Sequence, residues 1–95
     1  MIKRKYLKEI TKTICRIQPN KNAQFFIYGS SLIKKRFGDV DLGIMGDVKK
    51  VDIIKLKEEF TNSTLPYFVD VVNFNTASKA FKENVFNKKI VWIKP

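Results

Sequence analysis

The stretch Phe25–Met45, "FFIYGSSLIKKRFGDVDLGIM", decides the fold. One apolar run ends at the pair Gly29-Ser30, and the next opens with Asp39 and Asp41, where a buried strand should carry only Val, Ile and Leu. Side chains alternate across a strand, so Asp39 and Asp41 share one face while Val40, Leu42 and Ile44 turn to the core. Two carboxylates are thereby aimed at one spot, with Cα atoms about 6.5 Å apart. Between the strands, Ser30 is expected to cap a short helix over roughly residues 31–36.

Working outward, Leu7, Ile10, Ile14 and Ile17 fall at helical spacing over residues 3–17, and the pattern stops at "QPN". "AQFFIY" reads as a buried strand. After "DVDLGIM", Gly46-Asp47 turns the chain into a helix through Phe60 in which Ile53, Leu56 and Phe60 share a face. "YFVDVVNF" reads as a third strand, taken as central. Asn75 or Thr76 is expected to start a helix carrying Ala77, Ala80, Phe81 and Val85, and "IVWI" to form a short closing strand. The alternation predicts an α/β (α+β) fold, a small mixed sheet flanked by helices, as a single domain over residues 1–95.

Asp70 interrupts the third apolar run. A carboxylate inside a strand is costly without a partner, and if this strand pairs beside the second, Asp70 lands next to Asp39 and Asp41. Such a trio repels itself unless a cation intervenes. Three carboxylates on adjacent strands suit two Mg²⁺ ions, or Mn²⁺, in the arrangement that clamps both oxygens of a phosphoryl transfer. Gly29 permits close backbone approach to a ligand, and Ser30 offers a hydroxyl with free N–H groups behind it, as phosphates prefer. Lys34, Lys35 and Arg36 add positive charge nearby.

With 19 Lys+Arg against 9 Asp+Glu, the net charge of +10 favours anionic partners. One cysteine and no histidine exclude an internal disulfide, the usual zinc sites and a histidine base. The charged N-terminal segment lacks the apolar region of a signal peptide, and no stretch approaches the length of a membrane span, so the cytoplasm is the expected compartment.

The order strand, Gly-Ser, short helix, Asp-x-Asp strand, helix, strand with a central Asp resembles the polymerase β-like nucleotidyltransferase superfamily. It is most similar to minimal nucleotidyltransferase (MNT) domains, over nearly the whole chain. The resemblance implies that Asp39 and Asp41 hold the metals, that Asp70 completes the site and helps deprotonate the acceptor, and that Gly29 and Ser30 hold the triphosphate. It also implies transfer of AMP from ATP to a tyrosine hydroxyl of a small helical HEPN toxin, with this chain as antitoxin. The spacer "SLIKKRFG" is shorter than is usual, and Ser31, Leu32 and Ile33 stand where the family commonly places Arg and then Gly. Two rival readings accompany this one: a module that neutralises its partner by binding alone, and an enzyme that adds nucleotides to RNA. The second is disfavoured because no platform of interleaved aromatic and basic residues is evident.

Overall fold

The computed structural model describes residues 2–18 and 22–93. Pro19 and Asn20 of the helix-ending "QPN" lie outside the described residues. The elements are α1 (Arg4–Ile17), β1 (Ala23–Tyr28), a 3₁₀ turn (Ser30–Leu32), β2 (Asp39–Gly46), α2 (Lys50–Thr61), β3 (Phe68–Asn73), α3 (Lys79–Phe86) and β4 (Val91–Ile93). The sheet has four strands in the order β3-β2-β1-β4. β1 is antiparallel to both its neighbours, whereas β2 and β3 are parallel because α2 carries the chain back between them. The mixed sheet expected from the sequence is present.

The two faces of the sheet differ. On one, Phe25, Ile27, Val40, Leu42, Ile44, Val69 and Val71 form the main core with Ile10 and Ile14 of α1 and Ile53, Leu56 and Phe60 of α2. The stripes read from helical spacing are thus the buried ones. An ion pair between Arg16 and Glu59, at 3.2 Å, joins the exposed backs of the two helices. On the opposite face α3 covers only one side, packing Val85 against Phe26, Tyr28 and Phe74. Phe26 sits at the centre, edge-on to Phe74 with ring centroids 4.7 Å apart and in contact with Phe86 and Trp92. Gly43, beside Phe26 in the ladder, makes room for that ring, since a Cβ on Gly43 would strike it.

Three local expectations are corrected. β3 is an edge strand and not a central one, so Asp70 is exposed to solvent and carries no burial cost. Helix α3 starts at Lys79, capped by Ser78, whose Oγ accepts the Phe81 N–H at 3.2 Å. Asn75 is committed elsewhere: its amide accepts the Gly46 N–H at 3.1 Å and donates to the Gly46 carbonyl at 2.8 Å, tying the end of β2 to the end of β3. Thr76 donates its hydroxyl to the Asn73 carbonyl at 3.2 Å, so a turn precedes the helix. The segment after Gly29 forms three residues of 3₁₀ helix in place of a helix to Arg36, and its cap position is Gly29, with Ser30 the first residue of the turn. Its turn closes through backbone alone, Leu32 N–H to Gly29 carbonyl at 3.2 Å and Ile33 N–H to Ser30 carbonyl at 3.1 Å.

Candidate active site

The half of the sheet that α3 leaves open carries the acids. Alternation puts Val40 and Leu42 in the core and turns Asp39 and Asp41 to the open face; the same rule buries Val69 and Val71 and turns Phe68 and Asp70 outward. Asp41 stands opposite Asp70 in the parallel register, and Asp39 opposite Phe68. Adjacent strands lie about 4.8 Å apart, so the three carboxylates share one small patch. Among the described residues, however, no three acidic or cysteine side chains converge closely enough to hold one ion. The strands bring the acids together; the side chains as placed do not close on a point.

Electrostatics registers this proximity. Burial first, then the charges of Asp70 and Asp39, hold the Asp41 carboxyl above the usual carboxylate range. Tyr28, opposite Asp41 on β1, feels the same field: burial, with Asp41 and Asp70 adding to it, pushes its phenol up to about 12. The hydroxyl therefore stays protonated beside the acids. Sequence reading missed Tyr28, which was absorbed into the apolar run; its position immediately before Gly29 and across from the Asp-x-Asp pair was the available signal.

Gly29 adopts φ 85° and ψ −157°, a backbone conformation essentially confined to glycine. A Cβ at this position would strike Oδ2 of Asp41. The turn thus brings bare backbone against the carboxylate, leaving space that any other residue would fill. Ser30 is half-buried at this turn, and Ser31 behind it is fully buried with no hydrogen-bond partner for its hydroxyl. Lys34, Lys35 and Arg36 are exposed on the connection to β2, where the Lys34 N–H bonds the Ser30 carbonyl at 2.8 Å.

An acidic patch therefore lies on an open sheet face, flanked by a glycine turn. The chain belongs to the polymerase beta nucleotidyltransferase family, whose model matches residues 8–94. Among solved structures it is similar to a mutant of the toxin-antitoxin pair MntA–HpeT, with TM-score 0.70 and 15% identity over 93% of this chain and 72% of that one. It is also similar to a complex of the tri-AMPylated HEPN toxin of Shewanella oneidensis with its MNT antitoxin, with TM-score 0.61 and 15% identity over 93% of this chain and 71% of that one. A toxin-antitoxin structure with AMP-PNP is similar at TM-score 0.62 and 16% identity, over 88% of this chain and 72% of that one. No curated protein matches by sequence. Among the described residues no helix is long and apolar enough to cross a membrane.

Two outcomes follow from this geometry. Gly29→Ala should cost about 1–3 kcal/mol in urea unfolding, through backbone strain together with the clash against Asp41. For Asp41, a raised native pKa means that the folded state holds this proton to higher pH than the unfolded chain, whose ordinary value is 3.8. Stability is then lost as pH rises through that window. Asp41→Asn should accordingly raise Tm at neutral pH by roughly 2–4 °C, after discounting for solvent screening. The gain should disappear in acid, where the wild-type carboxyl is protonated in both states; differential scanning calorimetry across the pH range checks both limbs.

Proposed function

We propose that the chain is a metal-dependent nucleotidyltransferase that moves AMP from ATP to a hydroxyl, a tyrosine of a HEPN-type partner toxin, and so acts as an antitoxin. The observation that carries this reading is the alignment of Asp39, Asp41 and Asp70 on one open face, with the Gly29 turn against Asp41. Support also comes from the family and from solved neighbours that pair MNT antitoxins with HEPN toxins, one of them AMPylated.

The donor set fits the cofactor proposed for it. The residues are hard oxygen ligands without histidine or thiol, with Asp70 and Asp39 close enough to help raise the pKa of Asp41, and Mg²⁺ accepts one or two such carboxylates together with phosphate oxygens. Asp39 and Asp41 would hold it, with Asp70 completing the site. A metal held there would neutralise the patch and would supply positive charge to the oxygens of the transferring phosphoryl group. Gly29 admits the triphosphate close to backbone, Ser30 hydrogen-bonds it, and the loop of Lys34, Lys35 and Arg36 adds positive field. Asp70, exposed on the edge strand, faces the side from which a protein acceptor can approach, and it takes the hydroxyl proton. The acceptor oxygen forms its bond to the α-phosphorus as the bond to the β-phosphate oxygen breaks, and pyrophosphate leaves with that electron pair.

The test is incubation of the co-purified pair with ATP and Mg²⁺, followed by intact-mass measurement of both proteins. The expected result is a gain of one or more AMP units on the partner, lost in Asp41→Asn. A stable complex with no mass change would favour neutralisation by binding alone, and labelled RNA extended in place of the partner would assign the acceptor to nucleic acid. Because the cap position is Gly29 and not Ser30, Ser30→Ala should leave stability within about 0.5 kcal/mol of wild type while lowering transfer. A Ser30→Ala protein as active as wild type would remove the hydroxyl from the site.

Cation binding should also register as stability. Mg²⁺ or Mn²⁺ should raise Tm by mass action on the native state, and the combined change Asp39→Asn and Asp41→Asn should abolish the shift. An equal shift in both proteins would locate the metal elsewhere.

A further inference from the structure

Helix α3 ends at Phe86, and the chain reaches β4 through Lys88 and Lys89. β4 runs antiparallel to β1 with Val91 opposite Ile27, so the residues just before β4 lie alongside those just after β1. The result is a cleft of about 200 Å³ between the end of β1 and α3, lined by Tyr28, Gly29, Phe81, Asn84, Lys88 and Lys89. Gly29 is its shared wall: Asp41 abuts this residue from the β2 side, and the two lysines line the same cleft on the β4 side.

Charge is therefore sorted across the sheet end. Asp70 on β3 and Asp39 and Asp41 on β2 form an acidic side, the Gly29 turn on β1 is bare backbone, and Lys88 and Lys89 form a basic side. From β2 to β4 is two strand spacings, about 10 Å, a distance that a triphosphate and the lysine side chains can span together. Among the described residues neither lysine is in an ion pair.

Resting on the nucleotidyltransferase reading, we propose that Lys88 and Lys89 bind the β- and γ-phosphates of the nucleotide donor, in the cleft beside Gly29. The α-phosphate then lies over the acids and the leaving pyrophosphate over the lysines. Two ammonium groups compensate the charge that builds on pyrophosphate as its bond to the α-phosphorus breaks. Such a role differs from simple charge matching at the carboxyl end of α3, which basic residues also satisfy and which involves no nucleotide.

The two roles separate by the phosphate count of the ligand. Isothermal titration calorimetry of the full chain with ATP and with AMP, both with Mg²⁺, gives the affinity ratio between a ligand that has the distal phosphates and one that lacks them. The combined change Lys88→Ala and Lys89→Ala should weaken ATP by about 10- to 100-fold while altering AMP less than about 2-fold, collapsing the ratio. Lys55→Ala with Lys57→Ala, which removes the same charge from α2 on the far face, should preserve it. An unchanged ratio in the Lys88/Lys89 variant, or an equal fall in the α2 variant, overturns this inference and leaves the nucleotidyltransferase reading standing. A wild-type chain that binds neither ATP nor AMP overturns both.

Discussion

The contact between the backbone of Gly29 and the carboxylate of Asp41 is the constraint around which the open face is built. It requires a residue without a Cβ just past the end of β1, in a conformation that other residues avoid, directly beside the second aspartate of the neighbouring strand. Like charges crowd this point, with Asp39 two residues before and Asp70 across the ladder, and the Tyr28 phenol is pushed up to about 12 by burial first and then by Asp41 and Asp70. Such an arrangement concentrates unfavourable electrostatics at one point of the protein and is therefore a poor stabilising device.

The remainder of the fold positions that patch. The α1 and α2 face is a conventional apolar core, and it supplies the rigidity against which the register of β2 and β3 is held. On the other face α3 stops short, covering Phe26 and Phe74 with aromatic contacts and leaving Asp39 and Asp70 exposed and Asp41 half-buried. Gly43 leaves the space that the Phe26 ring occupies over β2. The edge position of β3 then leaves the acids with one side open to solvent. A central strand would have closed it.

The sequence by itself determined the strand and helix pattern, the stripes of α1 and α2 and the sharing of one face by Asp39 and Asp41, because each depends only on local periodicity. It also fixed Gly29-Ser30 as a turn. Tertiary structure decided that β3 lies at the sheet edge and that Asp70 is exposed, since strand order depends on which long-range pairings form. It likewise took Asn75 from the start of α3 to bond Gly46, through a partner 29 residues away. The lysines were invisible for the same reason. Lys88 and Lys89 are nearly sixty residues from Gly29, and only the antiparallel pairing of β4 with β1 sets them beside it. Local alternation shows which way a side chain points, whereas the pairing of distant strands decides what it meets there.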